Sequence, residues 1–116
     1  EKCRSTLNEE QTISLSVTNN WSHVDRKQVH ADWDVLYKEF SGLIDTSNAI
    51  DSDVQEFVDQ HYKIVSRFYV PSRDAYIGMA LFYSENDDMK NFHNAYHPKM
   101  VEFLGDAMCI YAQNKL

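Results

Sequence analysis

The sequence lacks the features that mark several large classes of protein. Its 116 residues contain only three glycines and two prolines, and no Pro-, Gly- or Ser-rich tract divides the chain. The chain therefore suits one globular domain rather than a fibrous repeat or a pair of domains joined by a linker. No segment approaches the roughly 18 consecutive apolar residues of a membrane-spanning helix, and residues 1–10 lack the apolar core of a secretory signal. We expect a cytoplasmic protein that does not contact a membrane.

Basic residues are also scarce. Lys and Arg number 11 against 18 acidic residues, which gives a formal net charge of −7 at pH 7. Binding to nucleic acid requires a basic surface that neutralises phosphates. We therefore expect that this chain alone does not bind DNA.

Motifs for catalysis, metals and cofactors are missing as well. The chain has no GxSxG elbow, no glycine-rich phosphate loop and no CxxC pair. Cys3 and Cys109 lie near opposite ends of the chain and are predicted to be free thiols. His93 and His97 have the i, i+4 spacing of some metal ligands, but no third ligand is evident. We expect neither an enzyme nor a protein that holds a metal, haem or another cofactor.

Apolar residues recur at helical spacing through most of the chain. Such stripes predict helices over 29–45, about 52–68, 72–84, a short segment near 89–96, and about 98–113. The first twenty residues are ambiguous, because ISLSV alternates like a strand whereas NEEQ resembles a helix start. A helix is preferred there if the rest is helical, and the predicted fold class is all-α.

Local signals indicate where these helices end. Ser52 and Gln55 match the capping-box pattern, Pro71 ends the second predicted helix, and Ser72 is available to cap the third. Gly78 lies in the middle of that third helix, where glycine costs about 0.5–1 kcal/mol relative to alanine. We predict that a neighbouring backbone, rather than a ligand, comes close to Gly78.

Aromatic residues are the main enrichment. They form 13% of the chain, and many of them lie between residues 62 and 96. Because each ring takes about 150–250 Å² to bury, one small core cannot cover them all, and some are predicted to line a partly open cleft. Helical phase directs Phe68 and Met79 toward the core and leaves Tyr69, Tyr76 and Tyr83 at the border of that cleft.

Residues 53–112 carry a scattered but recognisable pattern. It comprises a VQEFVDQHY helix, an RFY–Pro turn, the DAY triplet, an aliphatic and aromatic run ending at Tyr83, a short aromatic helix and a terminal FLGDA. This segment resembles the TipAS-type antibiotic-recognition domain, the effector-binding part of MerR-like transcriptional activators. Trp21 and Trp33 also fall where that family tends to carry tryptophan.

The resemblance implies a compact, globin-like all-α domain of about five helices without haem. Residues 29–116 would form the recognition domain, and residues 1–28 a segment that is flexible or helical. The partner would be a bulky apolar antibiotic such as a thiopeptide, bound in an aromatic cleft. A thiopeptide-capturing member would need a cysteine where this chain has Gly78, so non-covalent binding is predicted.

The family also implies what surrounds such a domain. The full-length regulator would be a homodimer that reaches DNA through a helix-turn-helix domain absent from these residues. The alternative is a stand-alone resistance protein that sequesters a drug.

Candidate ligand-binding residues lie on the second to fourth predicted helices. Tyrosine suits the border of a cleft because it combines an apolar ring with a polar tip. His61 would help to orient a ligand, although its place on an apolar stripe is more typical of a core histidine with satisfied hydrogen bonds. The predicted set is His61, Tyr62, Phe68, Tyr69, Tyr76, Met79, Tyr83, Phe92 and Tyr96.

Overall fold

The computed structural model describes residues 2–116, which form six α-helices and no strand. The prediction of an all-α fold is confirmed, and the ambiguous residues near the N terminus form the first helix. No helix in residues 2–116 combines the length and the apolar character needed to cross a bilayer. The helices are α1 (Lys2–Val17), α2 (Arg26–Ser41), α3 (Ser52–Val65), α4 (Arg73–Glu85), α5 (Asp87–Asn94) and α6 (Met100–Lys115).

Helix α4 is the centre of the domain. It packs against α1, α5 and α6, while α2 pairs with α3 and α3 also contacts α6. Apolar or small residues occupy several faces of α4, as expected for a helix that is covered by others on more than one side. Its buried residues are Ala75, Tyr76, Gly78, Met79, Ala80 and Tyr83.

Side chains cap the N-termini of both α4 and α5, and these two caps mark the two ends of α4. The Ser72 hydroxyl accepts a hydrogen bond from the amide of Ala75 at 3.3 Å, which confirms the predicted cap of α4. Asn86 separates α4 from α5, and its side-chain oxygen accepts from the amide of Met89 at 3.0 Å. These caps allow α4 and α5 to follow each other with a single residue between them.

The predicted capping box at the start of α3 is wrong. The helix begins at Ser52 as expected, but its N-cap is Asp51, and no side chain caps it. The Gln55 amide instead donates to the carbonyls of Ala49 at 2.7 Å and Ala107 at 3.2 Å. Because Asp51 is the N-cap, Ser52 is the first helical residue and Gln55 lies one position beyond the one that a capping box uses.

Gly78 lies where α4 crosses α1. A Cβ atom at this position would overlap the backbone carbonyl group of Cys3 and would come within 3.1 Å of Leu7 Cβ. The predicted close approach of a neighbouring backbone is confirmed, and that backbone belongs to α1. The missing side chain lets α1 rest directly on α4 and bury Leu7.

The corner between α1 and α2 adopts an unusual backbone. Asn19, Asn20 and Trp21 have φ values of 53°, 61° and 60°, a left-handed region that asparagine tolerates but that strains a bulky residue. Two contacts hold Trp21 there: its indole N–H donates to the Ser14 hydroxyl at 2.7 Å, and its ring meets Phe68 edge-on at 5.0 Å. The corner thus places an indole over the α3–α4 turn.

Gly78→Ala should lower the free energy of unfolding by about 1–3 kcal/mol, because the added methyl group forces α1 away from α4. Urea denaturation followed by circular dichroism measures this loss. Gly105→Ala is the matched control: Gly105 lies inside α6, and a Cβ there meets nothing within 4 Å. Alanine should stabilise that position by about 0.5–1 kcal/mol. Equal effects at the two glycines would contradict the role given to the α1–α4 contact.

Candidate functional site

An apolar cavity of about 160 Å³ lies between α1, α4 and the turn that joins α3 to α4. An apolar cavity of about 150 Å³ can hold a benzene molecule, so this one accommodates roughly one ring. Both tryptophans of the chain line it. Its aromatic lining comprises Trp21, Trp33, Phe68, Tyr69, Phe82 and Tyr83.

Three of these rings form a continuous wall. Phe68 stacks on Trp33 with ring centroids 6.0 Å apart and planes inclined by 14°, and it receives Trp21 edge-on. Offset and edge-on arrangements are the favoured geometries for aromatic pairs. The wall therefore joins α2, the α3–α4 turn and the α1–α2 corner.

Helix α1 supplies the opposite side of the cavity through Leu7 and Gln11. Polar contacts hold this helix near both ends of α4. The Arg4 guanidinium donates to the Glu85 carboxylate at 2.8 Å near the end of α4. The Glu10 carboxylate accepts from the amide of Ser72 at 3.1 Å and from the Ser72 hydroxyl at the beginning of α4. Docking of α1 therefore completes the lining of the cavity.

The polar atoms of the lining are few. The described residues that line the cavity include no Asp, Glu, Lys, Arg or His. Two of them carry a buried polar atom without a hydrogen-bond partner in residues 2–116, namely the indole N–H of Trp33 and the hydroxyl of Tyr69. Burial raises the pKa of Tyr69 to about 12, with a further contribution from the nearby Glu10 carboxylate, so the phenol remains protonated.

A chain of buried hydrogen bonds lies behind the cavity. His61 Nδ1 is 2.7 Å from the Tyr76 hydroxyl, and His61 Nε2 is 3.2 Å from the Tyr37 hydroxyl. The Tyr37 hydroxyl is also 3.1 Å from His93 Nε2. Tyr83, whose ring lines the cavity, has its hydroxyl 3.5 Å from His61 Nε2. The chain links α2, α3, α4 and α5.

The carbonyl of Met89 determines the proton positions in this chain. His93 Nδ1 lies 2.7 Å from that oxygen and must donate to it. The other nitrogen of neutral His93 then accepts from the Tyr37 hydroxyl. The Tyr37 oxygen can accept from His61 Nε2–H, which leaves His61 Nδ1 to accept from Tyr76. His61, His93, Tyr37 and Tyr76 thus each find a partner in their neutral form.

Burial keeps these groups uncharged. It lowers the pKa of His61 to about 3, and the neighbouring His93 adds to this effect. Burial also lowers the pKa of His93, opposed by its bond to the Met89 carbonyl. The pKa values of Tyr37 and Tyr76 lie well above the usual value for the same reason. The prediction that His61 is a core histidine with satisfied hydrogen bonds is confirmed. The chain of buried hydrogen bonds supports the aromatic rings around it.

Four predicted site residues line the cavity: Phe68, Tyr69, Met79 and Tyr83. Sequence reasoning did not select the others, because they come from separate elements whose relative placement no local pattern reveals. Trp21 and Trp33 could most easily have been selected from the sequence, because both lie where the family tends to carry tryptophan. The unselected lining residues are Leu7, Gln11, Trp21, Trp33, Val65, Phe82 and Met89.

The other predicted site residues lie outside this lining. Two of them, His61 and Tyr76, belong to the buried hydrogen-bond chain. Tyr62 donates to the carbonyl of Pro71 at 2.7 Å, and the hydroxyl of Tyr96 donates to a neighbouring carboxylate at 2.7 Å. Phe92 packs edge-on against Tyr96 and is 46% exposed.

Metal-ligating side chains do not converge in residues 2–116. His93 is buried in the hydrogen-bond chain, whereas His97 lies beyond α5 and contacts the Asp45 carboxylate at 3.1 Å. Cys3 and Cys109 are both free, as predicted.

The fold and the cavity define a small all-helical domain with a candidate ligand site that has an aromatic wall and an uncharged lining. The family model of the TipAS antibiotic-recognition domain matches residues 8–111. The chain therefore belongs to the TipAS antibiotic-recognition domain family, and the resemblance found in the sequence is confirmed. No curated protein and no solved structure matches the chain. The matched range runs from α1 into α6 and includes nearly all of the cavity lining.

Acidification from pH 7 to pH 5 should lower the free energy of unfolding by about 2 kcal/mol through His61 alone. Its pKa is about 3 in the fold and near 6.5 when unfolded, so the unfolded state takes up the proton first. The stabilisation is present above pH 6.5 and is lost progressively toward pH 3. Urea unfolding at pH 7, 6 and 5 measures it. An unchanged free energy of unfolding would show that His61 becomes charged inside the fold.

Proposed function

We propose that this chain is the effector-binding domain of a MerR-like transcriptional regulator and that its cavity receives part of a bulky apolar antibiotic such as a thiopeptide. The observation that carries the proposal is an aromatic, uncharged cavity within a domain of the TipAS family. Binding would be driven by burial of apolar surface, which contributes about 25 cal/mol per Å².

The size of the cavity limits the mode of binding. Its volume of about 160 Å³ is below the roughly 300–1,000 Å³ of common ligand pockets. One ring or one apolar side chain of the antibiotic would enter, and the remainder would lie outside. An adjacent groove that shares Phe68 and Tyr69 with the cavity offers apolar surface for the remainder. Ile13, Val17 and Val70 line that groove and are exposed by 63%, 77% and 70%.

Binding is proposed to be non-covalent. Neither Cys3 nor Cys109 belongs to the cavity lining. Burial raises the pKa of the Cys109 thiol, which disfavours the reactive thiolate. The position of Gly78 is covered by the backbone of α1, so it offers no group to a ligand.

Helix α1 is the element through which binding would reach the rest of a regulator. It forms one side of the cavity and leads into the left-handed corner at Asn19, Asn20 and Trp21. A ligand that binds more tightly to one position of α1 and this corner than to another increases the population of the position that it prefers. In a full-length homodimer, the shift would bias the DNA-binding domains.

The alternative function is sequestration of a drug by a stand-alone protein. The same cavity would bind the drug in a regulator and in a sequestering protein. The two functions differ in whether a DNA-binding domain accompanies the drug-binding domain. A full-length gene product with a basic helix-turn-helix would favour regulation. A product without one would favour sequestration.

Titration with a thiopeptide should change the tryptophan fluorescence, because both tryptophans line the cavity. Phe82→Ala should weaken binding by roughly fivefold or more, since it removes a ring from the cavity lining. Phe92→Ala is the matched comparison, because Phe92 has nearly the same exposure, 46% against 44%, but lies outside the cavity. A larger loss for Phe92→Ala would move the binding site to the surface around Tyr96. The absence of binding by any thiopeptide or other bulky apolar antibiotic would overturn the proposed function.

A further inference from the structure

Tyr69 differs from every other tyrosine in the chain. All seven tyrosines lie within residues 2–116, and six of them have a hydroxyl hydrogen bond to a histidine, a carbonyl or a carboxylate. The hydroxyl of Tyr69 is buried without a partner. The exception is a tyrosine that lines the cavity.

The two tryptophans show the same contrast. Trp21 donates its indole N–H to the Ser14 hydroxyl at 2.7 Å, whereas the buried indole N–H of Trp33 has no acceptor in the described residues. Stacking contacts with Phe68 at 6.0 Å and His61 at 6.1 Å hold the Trp33 ring in place. It therefore has little freedom to turn toward another acceptor.

Unpartnered buried donors are costly, at about 1–3 kcal/mol each. In native proteins the great majority of buried polar groups have a partner, and an exception calls for an explanation. Both exceptions in residues 2–116 belong to side chains that line the same cavity. A shared explanation is more economical than two separate defects.

The chemistry of the two groups specifies what would satisfy them. An indole N–H can only donate a hydrogen bond, and a protonated phenol can donate one as well. The high pKa of Tyr69 keeps its proton in place across the neutral range. Both groups therefore call for an acceptor, and the lining offers no charged side chain to balance a charged ligand.

We propose that the group entering the cavity is an uncharged, planar apolar ring that carries a hydrogen-bond acceptor, such as a carbonyl oxygen or a ring nitrogen, and that Trp33 and Tyr69 donate to it. The proposal rests on the proposed function in taking this cavity as the ligand site. It adds the chemical class of the inserted group. Aromatic and aliphatic contacts supply affinity, and the two donors select for the acceptor.

Two probes of the same shape test this selection. Acetophenone carries a carbonyl oxygen where α-methylstyrene carries a methylene group, and both are planar and uncharged. NMR titration following the Trp33 indole N–H, assigned with Trp21→Phe, should show a downfield shift with acetophenone but not with α-methylstyrene. If acetophenone fails to move this signal up to its solubility limit, the proposal is overturned.

Variants then isolate the contribution of Tyr69. The ratio of the two probe affinities should fall roughly threefold to tenfold in Tyr69→Phe, because the variant removes one donor and retains the ring. Tyr111→Phe is the matched control, since its hydroxyl donates to the Asp59 carboxylate at 2.6 Å outside the cavity. The ratio should be unchanged in that control. An equal ratio in the wild type and Tyr69→Phe overturns the role of Tyr69.

The urea midpoint of unfolding provides a second test, in which Tyr69→Phe and Tyr111→Phe should shift the midpoint in opposite directions. Without ligand, Tyr69→Phe should raise the urea midpoint because it removes a buried polar group that has no partner. Tyr111→Phe should lower the midpoint because it breaks an existing hydrogen bond. A lower midpoint for Tyr69→Phe would show that its hydroxyl is already satisfied, which contradicts the proposal.

The preference for an acceptor and the binding of thiopeptides can fail independently of each other. If acetophenone is preferred but thiopeptides do not bind, the acceptor site stands and the antibiotic proposal fails. If thiopeptides bind but the acceptor preference is absent, the antibiotic proposal stands and the acceptor site fails.

Discussion

The direct contact between α1 and α4 at Gly78 is the constraint on which the binding cavity depends. A side chain at this position would meet the backbone of Cys3, so the two helices can touch only because it is missing. The contact buries Leu7 and brings Gln11 to the cavity. Without α1, the aromatic wall would lose the side chains of Leu7 and Gln11 and would be more exposed to solvent.

Two sets of buried polar groups in residues 2–116 differ in whether they have a hydrogen-bond partner. His61, His93 and the tyrosines bonded to them satisfy one another and connect four helices. This arrangement holds the inner rings in defined orientations, as a fully satisfied polar network does. The unpartnered donors of Trp33 and Tyr69 form the second set, at the cavity. Tyrosine hydroxyls thus occur in both sets, with partners in the first and without one in the second.

Much of the helical architecture could be predicted from local patterns. Periodicity located α2 to α6 within a few residues, Ser72 marked the start of α4, and Gly78 marked the close helix contact. The capping box at Ser52 failed because the N-cap is Asp51, and Gln55 is bonded instead to Ala49 and to Ala107 of α6. The site was predicted only in part, because its lining comes from separate elements and depends on how the helices cross.

Among residues 2–116, Tyr83 is the side chain that both lines the cavity and takes part in the buried hydrogen-bond chain. Met89 also belongs to both, but it joins the hydrogen-bond chain only through its backbone carbonyl. The Tyr83 ring lines the cavity and its hydroxyl approaches His61, whereas the remaining cavity residues take no side-chain part in the hydrogen-bond chain. Substitutions elsewhere in the lining therefore remove none of the side-chain hydrogen bonds of that chain. A substitution at Tyr83 would change the cavity wall and remove a contact with His61 at the same time.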